Sequence, residues 1–122
     1  MILFGRALVI GTLLVAVGCS PEIPRDILVV ARGMTFTLPS DPETVNPVIR
    51  VRAGERLRLT LRNDAPGLMH NFEIPAWAIK TAQIRGGAST SVTLTVPGQE
   101  GRYQYICAPH ANLMRGFVEV AP

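Results

Sequence analysis

The chain has 122 residues, two cysteines and two histidines, with 48% apolar and 17% charged residues. At roughly 150 residues per domain this is one folded unit, too short for a second catalytic module, and its apolar content excludes a disordered chain. Two cysteines cannot build a disulfide framework or a four-thiolate zinc site, and a formal charge of +3 spread over 11 arginines, one lysine and nine acids is too dispersed for a nucleic-acid stripe.

Residues 1–18 carry no charge except Arg6, and the stretch 7–18 is 12 residues long. A membrane span needs about 20 residues, so this stretch suits the core of a secretory leader instead. It ends in Ala16-Val17-Gly18-Cys19, which resembles the bacterial lipobox, where cleavage precedes a cysteine that then bears lipid. Lipidation at Cys19, an uncleaved anchor and simple secretion are the competing readings, and all three export the rest of the chain. A lipidated Cys19 could not pair with Cys107; a disulfide between them is the alternative. Residues 19–26 read as a tether and 27–122 as the exported domain, placed in the periplasm or at the cell surface.

From residue 27 onward, short β-rich runs alternate with Gly, Pro, Asn and Asp. The runs predict strands at 27–31, 34–38, 48–51, 56–62, 70–74, 91–96, 102–106 and 116–120. Leu57, Leu59 and Leu61 share one face of their run while Arg56, Arg58, Thr60 and Arg62 share the other. Such alternation marks strands half buried against a second sheet. No window outside the leader has a helical apolar period, so the expected fold is an all-β sandwich of about eight strands. The arginines of 50–62 form a basic strip, readable as a docking surface or as a solvated sheet face.

Chemistry concentrates in the run Cys107-Ala108-Pro109-His110-Ala111-Asn112-Leu113-Met114, a Cys-x2-His-x3-Met pattern. The other histidine is His70. Two imidazoles and a thiolate with a weak axial thioether describe a type 1 copper site. If Tyr103 and Tyr105 on one run, and Phe72 and Ile74 on another, face the core, then Cys107 and His70 aim inward at one end of the sandwich. Taken singly, Cys107, His70 and Met114 could each be ordinary core or loop packing. Met69 is a second candidate axial donor, but its neighbour on the strand is His70, so it should face the opposite way.

The motifs His70-Asn71-Phe72, Gly101-x-Tyr103-x-Tyr105-x-Cys107 and the Cys-His-Met loop resemble the cupredoxins, small blue copper proteins such as plastocyanin, amicyanin, pseudoazurin and azurin. The resemblance implies a Greek-key β-sandwich that carries single electrons between redox partners. It implies one copper ion with His70, Cys107 and His110 as strong ligands and Met114 as the axial one. Familiar family loops space the last pair by two, four or, in the longer loop, three residues; Cys-x2-His-x3-Met departs from them. Asn71 resembles the asparagine that ties the first histidine to the ligand loop. Pro109 has no N–H to donate to the Cys107 sulfur.

His110 is the expected electron exit, ringed by an apolar docking patch drawn from Leu68, Pro75, Ala76, Trp77, Ala108, Pro109, Ala111 and Leu113. Trp77 could equally be a half-buried anchor. A patch with few charges suits brief, weak docking by a monomer on redox proteins. Four ligands leave no open position for substrate, so no enzyme is expected. An oxidase-type dinuclear site would need two cysteines in the loop. Copper delivery or storage is the alternative function, although the exported part has only Met34, Met69 and Met114 as thioethers.

Overall fold

The computed structural model describes residues 11, 13–19 and 21–122. Most of the expected leader therefore lies outside the described residues; residues 11 and 13–19 have no regular structure and are exposed. Among the described residues no helix is long and apolar enough to cross a membrane. Cys19 is exposed, Cys107 is buried, and both are free thiols.

Nine strands form: β1 (Arg25–Arg32), β2 (Thr35–Thr37), β3 (Ile49–Arg52), β4 (Arg56–Asn63), β5 (Glu73–Ile74), β6 (Ile79–Lys80), β7 (Ser89–Thr95), β8 (Gly101–Ile106) and β9 (Arg115–Ala121). They make two packed sheets, ordered β2-β1-β4-β7 and β3-β9-β8-β5-β6. β1 runs parallel to β4 and β3 parallel to β9, while the other pairings are antiparallel. This is the Greek-key β-sandwich of the cupredoxins.

The alternation in the sequence becomes the core. Leu57, Leu59 and Leu61 are buried on β4 opposite Val118 and Val120 of β9, and each such leucine contributes about 1.5–3 kcal/mol by leaving water. Phe36, Phe72 and Tyr105 interlock at centroid distances of 5.0–5.7 Å and close the core beneath the Cys107 end. Gly54, at φ 75°, makes the tight β3–β4 turn that a side chain would resist.

Several expectations change: β7 begins at Ser89, two residues before the expected strand, and β6 was not expected at all. β1 begins at Arg25, two residues before the expected strand, because Arg25 pairs with Leu57 in the sheet and its guanidinium holds the Glu55 carboxylate. The expected strand 70–74 is a strand only at Glu73–Ile74. Upstream, His70 makes an isolated bridge to Ile84, and the Phe72 N–H donates to Thr81 Oγ1 at 2.9 Å, so loop contacts replace a long ladder. The basic strip does not exist as one face. Arg50 and Arg52 lie in one sheet and Arg56, Arg58 and Arg62 in the other, with Arg58 on Asp26, Arg62 on Asp64 and Arg50 near Glu119.

Candidate metal centre

The end of β8 delivers Cys107, and a 3-10 turn (Ala108–His110) folds the chain back over it. Backbone bonds lock that turn: His110 N–H donates to the Cys107 carbonyl at 3.0 Å, Met114 N–H to the His110 carbonyl at 2.9 Å, and Cys107 N–H to the Met114 carbonyl at 3.0 Å. Pro109 suits the turn because its φ is pre-set and the missing N–H is not needed there.

His70 comes from a separate part of the fold and is fully buried. Its N–H donates to the Ile84 carbonyl at 3.0 Å and its carbonyl accepts from Ile84 N–H at 2.8 Å. Asn63, also buried, fixes both strands of this bridge by donating Nδ2 to the carbonyls of Leu68 and Ile84 at 2.8 and 2.9 Å. Asn63, the last residue of β4, thus ties that strand to the segment that presents His70.

The donors converge. Cys107 Sγ lies 3.6 Å from Nδ1 of His70 and 3.6 Å from Nδ1 of His110. That separation allows an N–H···S hydrogen bond and is also close to the edge spanned by two bonds of about 2.0–2.3 Å to a shared transition metal. The two imidazole rings stand edge to face, 5.0 Å apart. Met114 is fully buried in the same loop, whereas Met69 is 45% exposed and turned away. One thiol, two imidazoles and a sheltered thioether make the soft, borderline donor set that copper favours in both oxidation states.

Burial pushes the Cys107 thiol up, against the backbone N–H groups of Asn71 and His110, which favour the thiolate. Burial pushes His70 down, and the neighbouring His110 adds to this. The Gly33 backbone pulls the other way without reaching hydrogen-bonding geometry, for His70 Nε2 is buried with no partner among the described residues. Both shifts favour uncharged side chains, and a metal that displaces the Cys107 thiol proton meets a neutral His70 imidazole already in place.

Asn71 is buried beside His70 and links the two halves: its Oδ1 accepts from Ala108 N–H at 2.8 Å, and its Nδ2 donates to Glu73 at 2.9 Å. The Ala108 N–H is thereby committed, and residue 109 is proline, so neither offers a donor to the sulfur.

His110 is half-buried in a shallow hollow with Met34, Ala108, Pro109, Ala111 and Leu113. Leu68 lines a separate hollow with Met69 and Arg85 and shares no lining residue with that of His110. Trp77 does not line either hollow: its indole packs 5.2 Å from the Tyr103 ring and against the core, the half-buried anchor of its two readings. Met34 was absent from the expected surround, because only the β1–β2 turn brings it there.

Residues 45–121 match the family of copper-binding proteins described as plastocyanin/azurin. No curated relative matches the sequence. Among solved structures, the dithionite-reduced auracyanin of Roseiflexus castenholzii is similar over 83% of this chain and 100% of its own, at 18% identity and a TM-score of 0.64. The periplasmic domain of cytochrome oxidase subunit II from Bradyrhizobium japonicum is similar over 83% and 86%, at 15% identity and 0.61. A variant of amicyanin in its reduced Cu(I) form is similar over 83% and 87%, at 27% identity and 0.55.

Proposed function

The chain belongs to the plastocyanin/azurin family of copper-binding proteins, with copper as its cofactor, and from that premise we propose that it is a one-electron carrier built on a single type 1 centre. His70, Cys107 and His110 would hold the copper strongly and Met114 axially. When bound, the copper supplies reversible one-electron chemistry. The observation that carries this reading is the approach of both Nδ1 atoms, His70 from outside the loop and His110 from within it, to the buried Cys107 Sγ at 3.6 Å.

The protein's part is to keep that donor set fixed through both oxidation states. Loop bonds within 107–114 and the Asn71 tie resist rearrangement, which lowers the cost of electron transfer. His110 is the one imidazole that is not fully buried, and its surround of Met34, Ala108, Pro109, Ala111, Asn112 and Leu113, which carries no charged side chain, suits transient docking of redox proteins. Four donors leave no position for substrate, and Cys107 is the single thiol in the loop, which argues against the enzymatic roles found on the same sandwich. Burial of Cys107, His70 and Met114 opposes the rapid ligand exchange that delivery of copper would need. The exported domain would be held outside the cytoplasm by lipid on Cys19.

Electron exchange tests the function. The reduced, copper-loaded full chain should lose one electron per chain to hexacyanoferrate(III), which becomes hexacyanoferrate(II), with copper retained. Copper passing to a Cu(I) chelator faster than this exchange would favour delivery instead. For the anchor, Cys19→Ala should move the protein from the membrane fraction to the soluble one; an unchanged distribution overturns lipid tethering.

A further inference from the structure

Asn46 is one of two non-glycine residues with positive φ among the described residues, at 47°, and it directly precedes Pro47. A left-handed backbone at a residue with a Cβ persists only where its surroundings over-determine it. Here they do. Asn46 N–H donates to the Phe36 carbonyl at 2.7 Å, and Asn46 Oδ1 accepts from Phe36 N–H at 2.9 Å. The next carbonyl, of Pro47, accepts from the Tyr105 hydroxyl at 2.7 Å. Phe36 and Tyr105 belong to the aromatic core, so this corner is fixed to the most rigid part of the domain.

The remaining arm of Asn46 leaves the corner. Phe36 N–H can meet only the oxygen, so Nδ2 faces the opposite way, where it donates to the Leu113 carbonyl at 2.9 Å across 67 residues of sequence. Leu113 immediately precedes Met114. Its side chain is 60% exposed, so packing does not hold it in place.

We infer that Asn46 is a positioning residue for the axial donor: through the Leu113 carbonyl it fixes the height of the Met114 thioether relative to the other three donors. The inference rests on Met114 being the axial ligand. It assigns to this chain a device that adds an anchor in the rest of the fold to the loop's own bonds, at the unusual three-residue spacing between His110 and Met114.

Copper-loaded full chains carrying Asn46→Asp and Asn46→Gly test it. Asn46→Asp keeps the acceptor for Phe36 N–H but sets a second acceptor against the Leu113 carbonyl. Asn46→Gly tolerates the positive φ and loses both arms. With the tether gone the thioether draws back and donates less to Cu(II), so the reduction potential rises in Asn46→Gly; in Asn46→Asp the new negative charge favours Cu(II) and offsets part of that rise. The ratio of the thiolate charge-transfer bands and the anisotropy of the paramagnetic resonance spectrum change with it. In a Met114→Leu background, the uncharged Asn46→Gly leaves the potential where Met114→Leu alone puts it. A lowered melting temperature with unchanged potential and spectra makes Asn46 a loop staple and overturns the inference. So does a shift of equal size in both backgrounds. A wild-type chain that binds copper without a type 1 spectrum overturns the ligand assignment and the inference with it.

Discussion

Asn71 Oδ1 accepts the Ala108 N–H at 2.8 Å, joining the segment that presents His70 to the loop that presents Cys107 and His110. This is a bond between residues 37 positions apart, made by a side chain with no solvent exposure. Its removal breaks a part-buried bond to the Ala108 N–H, a net loss of about 0.5–1.5 kcal/mol. Asn71→Ala should therefore lower the stability of the metal-free protein by that order in urea unfolding and speed copper loss to a chelator. Unchanged copper loss would mean that the loop holds its own shape.

Pro109→Ala supplies an N–H beside the Cys107 sulfur at a point where the adjacent Ala108 N–H is already committed to Asn71. A new donor to the sulfur withdraws electron density from the thiolate and favours Cu(I). The expected outcome is a higher reduction potential, measured by voltammetry. An unchanged or lower value would show that the added N–H does not reach the sulfur.

Gly116 follows the ligand loop with no space for a side chain: a Cβ there would collide with the Tyr105 hydroxyl and approach the Asn46 carbonyl at 2.9 Å. Gly116→Ala should destabilise by about 1–3 kcal/mol through overpacking. Tyr105→Leu removes both the hydroxyl and the ring carbon that the Cβ would meet, and in that background Gly116→Ala should cost less. Equal costs in both backgrounds would place the strain elsewhere.

The Glu55 carboxylate accepts from the Arg25 guanidinium and from Arg52 N–H, which hold it below the usual carboxylate range. As pH falls, the unfolded chain takes up this proton first. Glu55 therefore contributes stability above about pH 4–5 that is lost as pH drops toward its depressed folded value. Glu55→Gln should flatten part of the acid limb when urea midpoints are measured across pH 3–7, a range chosen to bracket that window. Parallel limbs for the two proteins would contradict the assignment.

Local signals were legible and long-range ones were not. The alternation of Leu57, Leu59 and Leu61 named the buried face of β4 because a strand's period is written residue by residue. The Cys-His-Met run was equally plain because a single turn brings its members together. His70 was legible as a donor, but not its setting. The Asn63 and Ile84 contacts that replace a strand there come from 7 and 14 residues away, with no periodic trace. β6 has two residues, too few to show a period. Trp77 settles on Tyr103 because of a partner 26 positions on, and Asn46 reaches Leu113 across 67; such pairings follow from the closed sandwich.

The central claim is that Cys107, His70, His110 and Met114 close on one copper ion. The most direct measurement is the visible and electron paramagnetic resonance spectrum of the full chain titrated with Cu(II), beside Cys107→Ser. The account predicts an intense thiolate-to-copper charge-transfer band and small copper hyperfine splitting at one equivalent, both lost in Cys107→Ser. A pale, tetragonal spectrum that Cys107→Ser leaves unchanged would contradict it.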